Sequence, residues 1–235
     1  MSTAALLLSG GPDSTLLAHE LVAEGKDVLA VTFNFGEAEG AAERRCATSV
    51  AGRLGLEHVF VDFTGPLSAL YHKPAPALLR KVVDWEMDVE PFGSGIAISL
   101  AASFALSRGA SEIYYAVHQG DAMYRDNVPA YFEHLSAALT IDRGFDVAVR
   151  TPYLGTSKGA LVARGDKLRV DYANTWSCGA ESDVQCGMCM PCVDRQVAFA
   201  EAGVADPTSY RHPLSPESIA EKVQVTDPAL RYVLS

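Results

Sequence analysis

Within a few residues the chain changes character completely. Ala4-Ala5-Leu6-Leu7-Leu8 is an apolar run suited to a buried strand. Ser9-Gly10-Gly11-Pro12-Asp13-Ser14 is turn chemistry, and Leu16, Leu17, Leu21 and Val22 follow in a helical pattern. A strand, a tight loop and a helix start in that order leave backbone N–H groups at the positive end of a helix dipole. A phosphate or pyrophosphate is the natural occupant of such a place. Two glycines let the backbone approach the anion, Ser9 and Ser14 add hydroxyls, and Pro12 sets the turn. The stretch lacks both the Lys-Ser/Thr ending of a Walker A loop and the spacing of the dinucleotide fingerprint. An ordinary Gly-rich turn is the bland alternative.

Strand-like segments recur at 27–33, 57–63, 112–117 and 147–150, separated by helical patterns at 41–54, 96–106, 129–138 and 157–163. This alternation predicts an α/β fold, a parallel sheet with helices on both faces, whose ligands collect at the carboxyl ends of the strands. Ser9–Ser14 stands at one such end and His118-Gln119-Gly120-Asp121 at another, followed by Tyr124-Arg125-Asp126. Between Thr64 and Gly95 the pattern breaks into prolines and glycines, which predicts a lid, binding loop or subunit contact. Its aromatics Tyr71, Trp85 and Phe92 either cover a base or simply pack. Near the end, Ser215 and Pro216 open a short helix over 216–223, and Leu230–Leu234 reads as an apolar anchor.

The 235 residues, 49% of them hydrophobic, suit one large α/β domain with a small appendage: residues 1–172, with a lid-like insertion at 64–95, and a C-terminal region at 173–235. The net charge of −10, uninterrupted by any Lys/Arg block, argues against a nucleic-acid substrate and for a small molecule. No apolar run has membrane-spanning length and no basic segment precedes an apolar one, so the expected location is cytoplasmic.

Four of the five cysteines crowd into Cys178, Cys186, Cys189 and Cys192. Four thiolates at that spacing suit one tetrahedral Zn²⁺ in a reducing compartment, in a closed structural site with no vacant position for catalysis. An iron–sulfur cluster uses the same ligands. The fifth, Cys46, falls on a predicted helix and reads as a small buried hydrophobe.

The loop SGGPDS resembles the SGGxDS pyrophosphate loop of the PP-loop ATP pyrophosphatases, which have an adenine nucleotide alpha hydrolase-like, Rossmann-like fold. With SLAAS (Ser99–Ser103), VHQGD (Val117–Asp121), the helix carrying Lys158, and TWSC…CGMCMPCVDR (Thr175–Arg195), the chain resembles the QueC family of 7-cyano-7-deazaguanine synthases over roughly residues 4–202. The resemblance implies an ATP-dependent ligase that adenylates 7-carboxy-7-deazaguanine, with ammonia as acceptor and a nitrile as end product. It implies ATP at Leu8, Ser9, Gly10, Gly11, Asp13, Ser14, Thr15 and Lys158, with Mg²⁺ on the phosphates and Zn²⁺ at the cysteines. Asp13 and Lys158 would serve catalysis, and His118, Asp121 and Asp126 would face the deazaguanine, the Mg²⁺ or a proton transfer. Arg195 would face either the anionic site or a helix dipole, and a homodimer is expected.

Three places depart from the family pattern. Gly36-Glu37-Ala38-Glu39 stands where the family has Gly-Gln-basic-His, Phe92-Gly93-Ser94-Gly95 where it has Arg-Asn, and Asn127-Val128 where it has Cys-Arg. The adenylation residues are kept while the acceptor surroundings have exchanged cations for acids and small groups. That pattern raises a second expectation: a bulkier amine acceptor such as a protein amino terminus, as in QueC-like proteins of bacterial defence operons. A nucleotide-binding module without catalysis, and a tRNA thiolation enzyme, are the further alternatives. Intact Asp13, Ser14 and Lys158 weigh against the first, and the acidic charge against the second.

Overall fold

The computed structural model describes residues 3–71, 93–123, 126–141 and 143–225. Strands β1 (Thr3–Leu7), β2 (Asp27–Asn34), β3 (Glu57–Asp62), β4 (Glu112–Tyr114) and β5 (Ala148–Arg150) form one sheet in the order β3-β2-β1-β4-β5. Every pairing is parallel, with Leu6 opposite Ala30 on one side of β1 and opposite Tyr114 on the other. Around it lie α1 (Pro12–Ala23), α2 (Gly40–Leu54), α3 (Thr64–Tyr71), α4 (Gly93–Ser107), α5 (Pro129–Thr140), α6 (Lys158–Lys167), α7 (Met190–Ala202) and α8 (Pro216–Val223).

The two-residue period of β1 and β2 divides the core. Ala4, Leu6, Val28 and Ala30 turn toward Leu16, Leu17 and Leu21 of α1, Val50 of α2, Leu161 of α6 and Phe199 of α7. Their neighbours Ala5, Leu29 and Val31 turn the other way, toward Ile98, Ala101, Ala102 and Ala105 of α4 and Phe132 of α5. The small residues of α4 let that helix lie close on the sheet. Sheet order reverses between β1 and β4, so their carboxyl ends flank the switch-point crevice where ligands of such sheets bind.

The stretch from Thr64 opens as a helix, α3, although its composition predicts a loop; residues 72–92 lie outside the described residues. The Asp62 carboxylate accepts from Thr64 N (2.9 Å) and Thr64 Oγ1 (2.7 Å), and Pro66 falls in the first turn of α3, where its missing N–H costs little. At the other end, α4 already begins at Gly93. Trp85, Phe92, Tyr124, Arg125 and Leu230–Leu234 lie outside the described residues. The sequence also passes over α7, whose Pro191 sits in the first turn and whose Ala198 and Phe199 join the core of β1 and α1. β4 ends at Tyr114, three residues short of expectation, because the chain turns away toward His118. No helix among the described residues is long and apolar enough to cross a membrane.

The loop after β1 is fixed by contact. Gly10 has φ +80°, and a Cβ there would stand 2.6 Å from Ala47 N and 2.8 Å from both Cys46 Cβ and Glu43 O on α2. Both the conformation and the space demand glycine. Gly10→Ala is expected to cost about 2 kcal/mol or more of stability, and urea unfolding measures it.

Candidate active site

Gly11 is the N-cap of α1 and supplies no side-chain cap, so the first turn of that helix keeps N–H groups that no cap satisfies. Ser9 and Ser14 shape the loop. Their hydroxyls lie 3.1 Å apart, Gly11 N donates to Ser9 Oγ (3.2 Å), and Ser14 donates to Gly11 O (3.3 Å). Leu8 and Thr15 are buried in the core. Leu8 N donates to Val31 O and Leu8 O accepts from Thr32, so both its backbone groups are engaged in the sheet. Thr15 Oγ1 and Asp13 Oδ1 are buried and have no hydrogen-bond partner among the described residues. An orphaned carboxylate oxygen at an uncapped helix start fits a Mg²⁺-bound phosphate.

Four segments meet at Asp13. Lys158 Nζ lies 2.8 Å from Asp194 Oδ2 and 3.7 Å from Asp13 Oδ2, and His118 Nε2 lies 3.8 Å from each carboxylate. All four side chains are at most 16% exposed. Lys158 is the first residue of α6, where a cation opposes the helix dipole. Burial also works against its charge, yet Asp194 and then Asp13 more than offset this, holding the ammonium above the ordinary lysine range. α6 is anchored to α1 by Glu20, which accepts from Tyr153 (2.6 Å) and Arg164 (2.6 Å).

His118 is not placed as a base. Its Nδ1 accepts from Gly120 N (2.9 Å), so the ring proton sits on Nε2 and faces Asp13 and Asp194. A Cβ on Gly120 would stand 2.7 Å from the ring, so glycine is needed beside it. Asp121 accepts from His118 N (2.9 Å) and shapes this turn. Asp126 is drawn elsewhere: it accepts from Ser94 N (3.2 Å) and Ser94 Oγ (2.8 Å) at the start of α4. Ser94, at one substituted position, thus bonds to the retained Asp126, while Asn127, at another, keeps a buried, unpartnered Oδ1.

The four cysteine sulfurs all lie within 4.8 Å of one another, with Cys186–Cys192 and Cys178–Cys189 at 3.9 Å. A tetrahedron with Zn–S near 2.3 Å has edges of about 3.8 Å, so the set fits one Zn²⁺ closely. Cys186 N, Met188 N and Cys189 N point at sulfurs (3.2–3.4 Å), as donors to thiolates do. An ion held by all four thiolates would have no vacant position, and its contribution would be to folding. Cys46 packs against the same cluster with Ala42 and Trp176. Arg195 faces neither an anion site nor a helix dipole. It is 0% exposed, donates to Thr175 Oγ1 (2.7 Å) and Tyr172 O (2.8 Å), pairs with Asp206 (3.3 Å), and lies over the Phe199 ring. Its role is to tie the segment before the cysteines to α7.

Asp194, next to Arg195 in the same motif, is the site residue that sequence reasoning missed. The available signal was its spacing, two residues after Cys192 on a helix fixed by the cysteines. Removing the metal with a chelator should lower the melting temperature by roughly 10 °C or more. Calorimetry with metal analysis measures this, and visible charge-transfer absorption would replace zinc by an iron–sulfur cluster.

The model of the family described as queuosine biosynthesis protein QueC matches residues 3–203. A 7-cyano-7-deazaguanine synthase of Methanoregula boonei is 37% identical over 218 residues, covering 88% of this chain and 98% of the relative. That of Hahella chejuensis is 36% identical over 214 residues, covering 88% and 92%. Among solved structures, NMN synthetase of Francisella tularensis has a TM-score of 0.49 at 16% identity, covering 98% of this chain and 81% of that one. NH3-dependent NAD synthetase of Campylobacter jejuni has a TM-score of 0.48 at 18% identity, covering 97% and 86%. With the family match spanning nearly its whole length, this chain belongs to the QueC family.

Proposed function

We propose that the protein is an ATP-dependent ligase that adenylates the carboxylate of 7-carboxy-7-deazaguanine and passes the acyl group to an amine, with ammonia leading to 7-cyano-7-deazaguanine. The observation that carries this reading is the buried Lys158 ammonium beside Asp13 at the uncapped start of α1. A carboxylate oxygen attacks the α-phosphorus of ATP, the bond to the bridging oxygen breaks, and pyrophosphate leaves. The amine then attacks the acyl carbon and AMP leaves, and a second ATP activates the amide oxygen for dehydration to the nitrile. Lys158 stabilises charge developing on the departing pyrophosphate, and the uncapped N–H groups of α1 hold its oxygens. Mg²⁺, when bound, neutralises phosphate charge, and Asp13 Oδ1 is the group free to ligate it. The His118 Nε2–H steadies Asp13 and Asp194, and Asp121 steadies His118.

A second reading concerns the acceptor, and one observation favours it. Glu37 and Glu39 stand where the family pattern has Gln and His, Glu43 lies near both, and the Glu43 backbone abuts Gly10. Burial, with Glu39 and Glu37 nearby, pushes the Glu43 carboxyl up to about 8, and burial raises Glu37 and Glu39 as well. Once pH rises toward about 8 and Glu43 loses its proton, its carboxylate can accept one from an ammonium group, which an incoming amine must lose before attack. The acids favour an amine acceptor, and the small residues Gly93, Ser94 and Gly95 favour one larger than ammonia, including a protein amino terminus of the kind joined in bacterial defence systems.

Mass spectrometry of reactions with MgATP, 7-carboxy-7-deazaguanine and either ammonia or candidate proteins separates these readings. Free nitrile with AMP and pyrophosphate is the expected result. Mass added to a polypeptide selects the second reading, and absence of AMP throughout refutes both. Lys158→Ala should slow pyrophosphate release about a hundredfold or more. Glu43 gives a pH signature. Between its unfolded value near 4.5 and its folded value of about 8, the folded state binds the extra proton. Stability therefore falls as pH rises through that window. Glu43→Gln removes the penalty, so its melting temperature should exceed the parent's by a few degrees at alkaline pH and match it below the window.

A further inference from the structure

We infer that Asp194 is the positioning residue for Lys158, and that through it the four-cysteine knuckle sets the geometry of the phosphate end of the site. In its consequences for rate, this inference rests on the adenylation reading above.

A lysine side chain is a flexible four-carbon stem, and at the first position of α6 the helix dipole drives its cation away from the helix. What holds Lys158 inward is therefore decisive. Asp13 lies 3.7 Å from Nζ, an electrostatic neighbour beyond hydrogen-bond distance, whereas Asp194 at 2.8 Å makes the direct charge-assisted bond. An ammonium has three donors. One held by Asp194 leaves two for phosphate oxygens, so Lys158 can bind the leaving pyrophosphate without releasing its anchor.

Asp194 in turn is placed by the knuckle. Cys189 is the N-cap of α7, Cys192 lies in its first turn, and Asp194 follows two residues later. α6 and α7 approach closely at Gly159, next to Lys158: a Cβ there would stand 2.8 Å from Glu201 Cβ and 3.4 Å from Ala198 O. Close crossing at this glycine sets the start of α6 against the carboxyl-terminal half of α7, and Lys158, the residue before it, reaches back to Asp194 nearer the start of α7. Fixing the cysteines fixes α7, and α7 carries the carboxylate that aims the ammonium.

The test combines Asp194→Asn, Asp194→Ala and Asp194→Glu with Lys158→Ala and the Asp194→Ala/Lys158→Ala double variant, in the full chain with zinc content and melting measured for each. Trace acetylation by acetic anhydride, read on the Lys158 peptide by mass spectrometry, reports the lysine without reference to any reaction. Asp194→Asn should raise Lys158 acetylation about tenfold, the change in free amine for one unit of pKa, with zinc retained. In steady-state AMP formation, kcat should fall about tenfold or more while KM for ATP moves less than about threefold. Asp194→Glu should restore much of the loss, and the double variant should be no slower than Lys158→Ala. Acetylation within twofold of the parent, additive losses in the double variant, or loss of zinc from Asp194→Asn would each overturn the inference. A parent protein that makes no AMP refutes the adenylation reading instead, and acetylation then still decides the role of Asp194.

Discussion

The pressing of Gly10 against α2 is the contact on which the rest of the site depends. There the loop after β1 runs so close to Ala47, Cys46 and Glu43 that no side chain fits, and its φ of +80° suits glycine alone. The same residue reaches the other way. Gly10 O accepts from Trp176 N (3.0 Å), and Trp176 Nε1 donates to Cys178 O (2.7 Å), so the backbone that would cradle a phosphate is bonded to the segment entering the cysteine knuckle. The loop is thus clamped between a helix that follows β2 and a segment more than 160 residues away. Preorganisation of this kind is what an anion site requires, because N–H groups already aimed at the ligand lose little entropy when it arrives.

Charge completes what backbone geometry begins. Around Lys158 two carboxylates face one ammonium, and the nearby imidazole is held with its proton toward them. A divalent cation held by the unpartnered Asp13 oxygen would add positive charge beside this cluster, where phosphate oxygens would lie. The glutamates across the loop behave differently. Burial raises Glu37 and Glu39 above the ordinary carboxylate range and pushes Glu43 up to about 8, so Glu43 keeps a proton that an ordinary surface carboxylate loses at neutral pH.

Much of this was legible in the sequence because local signals and global fold agree. The strand–loop–helix of residues 4–22, the two-residue period of β1 and β2 and the small residues of α4 each state their environment directly. The cysteine spacing states its ligand set equally well, since four thiolates have few other uses at that density. What stayed hidden depends on tertiary approach. Asp126 shares its strand-end neighbourhood with His118 in the sequence, yet turns to Ser94, a partner 32 residues back. Arg195 carries the charge expected of an anion binder, but the carbonyl of Tyr172, the hydroxyl of Thr175 and the carboxylate of Asp206 engage all three of its nitrogens. α3 was obscured because Pro66 reads as a breaker, and only the Asp62 cap shows it to be a helix start.

Asp194 joins the four-cysteine cluster to the candidate active site. From Trp176 to Cys189 the chain has no helix or strand, and apart from Trp176 and the cysteines it brings few large side chains to the core. Such a segment cannot offset its backbone entropy by apolar burial, and metal–thiolate bonds would supply the missing free energy. They would also dictate direction, because an ion held by both the N-cap and a first-turn residue of α7 would leave that helix little freedom to rotate or slide. A hydrophobic anchor of equal strength would permit small repackings along the helix. An ammonium that must meet a phosphate oxygen at hydrogen-bond distance would tolerate little of that movement, which is what a metal-held knuckle directly behind the loop after β1 would prevent.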